Sequence, residues 1–176
     1  MQLSRSSDWV YGTALISSSA FAGCNVFIGI SMGTHWLRLD PAEYASGFWI
    51  QFQTFLLTVM PLFILVLFGL AWSARISLQG SNARRLWLLA IACYAAVSLI
   101  TITLHLPINL RFQNPQFTIE ETITARNLWL IGHIPRVLLA CAIPALVWTA
   151  ITREVAQVSR RVSNTEPPHV RRRDRQ

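Results

Sequence analysis

The chain contains no lysine, and only 13% of its 176 residues are charged. Soluble domains carry about a quarter charged residues, so an ordinary water-facing globule is excluded. Cysteine is scarce as well. Cys24, Cys93 and Cys141 stand singly in three different apolar stretches. With no Cys-x-x-Cys pair, disulfide-oxidase chemistry has no support, and the thiols read as small, inert packing groups. No His-x-x-His pair and no internal repeat occurs.

Hydrophobicity is what the chain has. Some 53% of its residues are hydrophobic, and the mean hydropathy is +0.42. Runs of about 20 apolar residues are long enough to cross a bilayer as helices. Four such spans are expected, at 11–33, 49–72, 86–106 and 127–150. The expected fold is all-α: an integral membrane four-helix bundle forming one domain over residues 1–152. Residues 153–176 follow as a basic tail, expected to be disordered from Val162 onward. Ala20-Phe21-Ala22 resembles a signal-peptidase site. Asp8, the serines Ser17–Ser19 and the apolar sequence beyond Cys24 favour retention of the first span.

The net charge of +7 rests on fifteen arginines. Eleven of them lie at Arg5, at Arg75, Arg84 and Arg85, or in the stretch from Arg153 to Arg175. By the positive-inside rule these places share the cytoplasmic side. Both termini are then cytoplasmic, and 34–48 and 107–126 form the outer face. The basic balance thus points to membrane topology and to anionic lipid, not to nucleic acid. The expected location is a bacterial inner or plasma membrane.

The first span is rich in small and polar residues, including Gly29-x-x-x-Gly33, a spacing that lets helices approach closely. Asn25 lies near its middle and needs a partner, an interhelical hydrogen bond first of all. Pro61 in the second span favours a kink, and Pro107 stops or bends the third helix.

The fourth span carries a polar stripe. Arg126, Trp129, His133 and Arg136 fall within roughly 80° of one another on a helix with 3.6 residues per turn. An ionisable side chain in a bilayer costs on the order of 3 kcal/mol and usually faces a partner or a site. His35, Gln51, Gln53, His105, Asn109 and Arg111 share the same outer half. A polar pocket opening outward between spans one, three and four is therefore expected.

Histidine can take a proton near neutral pH. A neighbouring arginine stabilises the oxyanion so formed. Trp129 offers a flat face to an aromatic ligand, and Asn109 a donor to a carbonyl or phenol oxygen. Together they suit proton abstraction from a flat phenolic molecule. A structural reading stays open: Arg136 bonding loose carbonyls near Pro107, His133 bridging helices, Trp129 an interfacial anchor. So does a metal or haem held by His35, His105 and His133, since imidazole suits copper and iron.

The stretch Leu106-Pro107-Ile108-Asn109-Leu110-Arg111, followed by Trp129-x-x-x-His133-x-x-Arg136 on the last of four spans, resembles the anthrone oxygenase family. The likeness covers roughly residues 19–150. Most bacterial members are known only as a membrane domain of unknown function. The chain departs from the family before span two, where Trp49-Ile50-Gln51-Phe52 replaces a Gln-Trp and a downstream tyrosine.

The resemblance implies an oxygenase that converts anthrones to anthraquinones with no evident cofactor. It assigns His133 as base, with Arg136 and Asn109 holding the enolate. Trp129, Asn25, His105 and Arg111 complete the expected set as substrate-binding residues. The expected partners are the bilayer, a lipophilic phenol, anthrone or quinol, and a further copy of the chain or a membrane complex subunit. The competing expectation is a non-enzymatic protein that binds a lipid, a quinone or a partner subunit, or a small haem- or copper-binding subunit.

Overall fold

A computed structural model describes residues 5–77, 81–113 and 116–165. Every described element is helical. Four rods, spanning Asp8–Arg38, Pro41–Ile76, Asn82–Arg111 and Ile119–Arg160, are long and apolar enough to cross a membrane, as in a multi-pass membrane protein.

The first rod comprises α1 (Arg5–Phe27), a π-helical turn (Ile28–Met32) and α2 (Gly33–Arg38). The second is the unbroken α3 (Pro41–Ile76). The third comprises α4 (Asn82–Ile100), a π-helical turn (Thr101–His105) and α5 (Leu106–Arg111). The fourth is α6 (Ile119–Thr165).

The rods outrun the spans expected from hydropathy because capping, rather than apolarity, sets their ends. Asp40 accepts from Ala42 N at 2.9 Å and is followed by Pro41, so α3 starts eight residues ahead of the apolar run. Thr118 and Glu121 form a reciprocal box, with Thr118 N to Glu121 Oε2 at 2.9 Å and Glu121 N to Thr118 Oγ1 at 3.2 Å. This box places the start of α6 at Ile119, eight residues ahead of the apolar run at 127. At the other end α6 continues to Thr165, so its last turn reaches past Val162, where disorder was expected to begin. Residues 166–176 lie outside the described residues. Pro61 sits inside α3 without interrupting it, and Pro107 opens α5 rather than ending the third rod.

The rods run up, down, up and down. α1 packs against α3 and α6, and α4 against α6, while the packing of α3 on α4 is sparse. Near one end, Tyr11, Trp87 and Glu154 meet; this is the arginine-rich end. At the far end Arg126 meets Trp36 and Leu39. The apolar core is divided accordingly. One cluster, around Tyr11, Leu70, Trp87 and Val147, fills the arginine-rich half. The other, around Trp36, Tyr44, Phe48, Phe112 and Trp129, fills the far end. The first rod is the most thoroughly packed of the four, as its small residues imply. A Cβ at Gly29 would lie 3.0 Å from His133 Cδ2, and one at Gly33 would lie 3.0 Å from Leu130 Cδ2. These two glycines set how closely the first rod approaches α6.

Candidate functional site

Between the two clusters lies a cavity of about 370 Å³, within the range of small-molecule pockets. Its back wall is α6, which contributes Trp129, His133 and Arg136; the third rod adds His105 and Asn109. Its floor is aromatic. Phe21 and Phe63 stand 6.1 Å apart, and Tyr94 donates to the Phe63 carbonyl at 3.0 Å, tying α4 to α3. Its ceiling is aromatic as well. Trp36 and Phe48 pack at 5.4 Å, and one layer further out Tyr44 packs on Phe112 at 5.3 Å. All four are buried. The cavity is lined by the expected spans one, three and four, and by α3 as well; the expected outward opening is not found, because aromatic rings close the far end.

The π-helical turns sit at the level of this cavity. A π turn adds a residue to the helical circumference and redirects the side chains around it. The turn at Thr101–His105 carries His105 into the interior. There its Nδ1 lies 3.3 Å from Ile100 O and its Nε2 lies 3.2 Å from Trp129 O. The turn at Ile28–Met32 follows Asn25, whose carbonyl lies 2.9 Å from His133 Nε2.

A carbonyl can only accept, so Nε2 of His133 carries hydrogen and its Nδ1 is a lone pair. The Cδ2–Nε2 edge of the ring faces Gly29 and Asn25. Nδ1 lies on the other edge, buried, and finds no hydrogen-bond partner among the described residues. The ring plane is held by Trp129, stacked on it at 4.9 Å and 13°. Trp129 is itself fixed by donating Nε1–H to Asn109 Oδ1 at 2.8 Å. The Asn109 NH₂ is then left to donate to whatever fills the cavity.

Arg136 is the odd member. It is only 9% exposed, its Nε has no partner, and its guanidinium makes no hydrogen bond among the described residues. Among the described residues no carboxylate lines the cavity. A buried charge without a counter-charge is costly, and a cation in this position attracts an anionic or anion-forming guest.

Several sequence expectations need correction. Asn25 does not line the cavity. Its side chain turns back to its own helix, Nδ2 donating to Phe21 O at 2.9 Å, and only its backbone carbonyl serves the site. Arg111 is exposed and stacks over Phe117 at 4.7 Å, outside the cavity, because it lies two residues past Asn109 on the opposite face of α5. Trp129 lines the cavity but offers no free flat face. His133 stacks on it, and Trp36 and His105 meet it edge-on at 5.2 and 4.8 Å.

Arg126, which the family motif leaves aside, is buried. It donates to Trp36 O at 3.0 Å and Leu39 O at 3.3 Å, binding the carbonyl end of α2. Gln51, expected only as an outer polar residue, accepts from Trp36 Nε1 at 2.7 Å and anchors the ceiling. Nor do the three histidines converge. His35 is exposed on α2, and among the described residues no three His, Cys, Asp or Glu side chains are placed to share a metal ion.

The sequence reading missed one buried acid entirely. Glu154, near the arginine-rich end, accepts from Tyr11 OH and from Trp87 Nε1, the latter at 3.4 Å. Tyr11 and Trp87 stack at 5.5 Å and 16°. The three residues lie far apart in the chain, and no local pattern joins them. Comparison with family models, with curated proteins and with solved structures gives no match for the chain.

Proposed function

We propose that this is an integral membrane protein with its arginine-rich end in the cytoplasm, and that its cavity binds and deprotonates a lipophilic anthrone, phenol or quinol. One observation carries this reading. His133 and Arg136 both line one cavity, and their buried Nδ1 and Nε have no hydrogen-bond partner among the described residues. A base beside an unpaired cation is what abstraction of a weakly acidic proton requires.

The chemistry follows from the hydrogen bonds. His133 Nδ1 takes the proton. Nε2–H stays on the Asn25 carbonyl, which fixes the tautomer before transfer and shares the charge of the imidazolium afterwards. The enolate or phenolate oxygen lies against Arg136 and the Asn109 NH₂. Trp129 keeps the imidazole plane fixed, so little reorganisation accompanies transfer.

For an anthrone, the resulting carbanion is electron-rich enough to reduce dioxygen. One oxygen atom forms the new carbon–oxygen bond and stays as the carbonyl. The other leaves as water with the two methylene hydrogens. Dioxygen is the only oxidant that this stoichiometry needs. The reading agrees with the resemblance of Asn109, Trp129, His133 and Arg136 to the anthrone oxygenase motif.

Oxygen uptake by the full chain in lipid vesicles, with anthrone as substrate, tests the assignment. The expected result is consumption that falls by about 10²-fold or more in His133→Ala. Equal rates for the two proteins would remove His133 as the base.

A further inference from the structure

The cavity has a floor, a ceiling and a back wall, but one side is not closed by protein. α3 and the third rod are tied at the floor by the Tyr94–Phe63 bond and at the ceiling by Phe48 on Phe112 at 5.0 Å. Between these ties the packing of α3 on the π-helical turn and α5 is sparse. The edges of the gap are Met60 on α3 and Ile102 and Leu106 on the third rod. All three line the cavity, yet they are 46%, 60% and 38% exposed. In a bilayer this exposed apolar surface faces hydrocarbon. His133 and Arg136 lie at the other side, on α6.

We infer that this gap is a lateral window to the bilayer, and that the natural ligand is two-part: an acidic aromatic head at Arg136 and His133, and a hydrocarbon tail that leaves between Met60 and Ile102 into the lipid. The inference rests on the function proposed above. Three features support it beyond that reading. The buried aromatic ceiling bars a ligand from the aqueous side. The window lies opposite the polar wall, so one straight molecule can reach both. Its lips are apolar, which suits an alkyl chain and offers nothing to a polar substituent. A tail that ends in lipid neither gains nor loses burial, because lipid chains are as apolar as leucine. The window therefore makes the site indifferent to tail length, where a closed cavity of about 370 Å³ would reject a long tail at interior packing density.

The test uses tritiated para-ethylphenol and para-octadecylphenol with the full chain in phosphatidylcholine vesicles, binding being counted above protein-free vesicles. Affinities are expressed per mole fraction in the membrane. Wild type should bind both phenols within about threefold of each other. The doubly lipped variant Met60→Trp/Ile102→Trp should lose the octadecyl compound by about tenfold or more and keep the ethyl compound within about threefold, a discrimination above 1.4 kcal/mol.

Both substituted positions are lipid-exposed, and retained ethylphenol binding reports that the variant is folded. Wild type that takes ethylphenol but rejects octadecylphenol overturns the window while leaving the head site standing. So does a lipped variant that still binds the long compound, or one that loses both. Wild type that binds neither phenol, or Arg136→Met that binds both as well as wild type, overturns the head site and the window with it.

Discussion

At the arginine-rich end Glu154 is buried between two donors, Tyr11 and Trp87, whereas near the far end Arg136 is buried with no partner among the described residues. Both are ionisable groups on α6, and both are more than nine-tenths buried. The difference is in their surroundings. Glu154 belongs to a filled region in which the bonding capacity of the three side chains is used within the protein, and that is the pattern of structural polarity. Arg136 borders space, as does His133, whose Nδ1 is also unused. Unspent bonding capacity next to a cavity is the mark of a site. On the proposed function, the same helix uses one buried charge to hold the bundle together and another to hold a ligand.

The sharpest way to break this contrast is to delete each charge in turn. Glu154→Ala leaves the Tyr11 hydroxyl and the Trp87 N–H buried without an acceptor. It should cost about 3 kcal/mol, visible as a lower midpoint of unfolding in detergent, with phenol binding per folded molecule unchanged. Arg136→Met should do the reverse. Replacing an unpaired buried charge by an apolar side chain is neutral or stabilising, so the unfolding midpoint should hold or rise. Affinity for a phenol should meanwhile fall by about 2 kcal/mol, the worth of a charge-assisted hydrogen bond. If Arg136→Met unfolds the protein and Glu154→Ala does not, the two ends have been assigned the wrong way round.

Smaller changes sharpen the comparison within the site. Trp129→Phe keeps the ring stacked on His133 but removes the bond to Asn109. It should cost about 1 kcal/mol of stability and slow turnover, because Asn109 can then rotate; calorimetry together with steady-state oxygen uptake separates the two effects. Gly29→Ala puts a methyl 3.0 Å from His133 Cδ2. The imidazole must give by a few tenths of an ångström against the Asn25 bond. The expected outcome is a stability change near 1 kcal/mol or less with a several-fold loss of kcat. An unchanged kcat would show that the Asn25 bond has no part in orienting the base.

Much of this molecule could be read from the sequence. Runs of apolar residues fixed four spans, because a bilayer imposes a length on any helix that crosses it. The stripe of Trp129, His133 and Arg136 lay on one face because helical periodicity is local. Gly29 and Gly33 marked a close approach, and it is found against α6.

What was not legible depends on contacts between residues distant in sequence. The pocket was expected to open outward between spans one, three and four; those rods line it, but α3 completes its wall and aromatic rings close its outer end, and hydropathy says nothing about lateral order. Asn25 was read through its side chain and acts through its carbonyl. Arg126 was read as part of the stripe on span four; it instead binds the end of α2, whose acceptors Trp36 and Leu39 lie 90 and 87 positions away in sequence. Glu154 gave no signal, since an acid at the polar end of a span is ordinary until Tyr11 is found 143 residues off.

The central claim is that His133 stands ready as a base, with Nε2 protonated on the Asn25 carbonyl and Nδ1 buried and unpartnered at the cavity wall. Solid-state NMR of the ¹⁵N-histidine-labelled chain in lipid, with His133 assigned by its loss in His133→Gln, reads this directly. The account predicts an Nε2–H tautomer with an unprotonated Nδ1 that moves toward the protonated shift when an alkylphenol is added, and that stays put in Arg136→Met. A His133 ring that carries its hydrogen on Nδ1, or one whose Nδ1 resonance ignores the phenol, would contradict it.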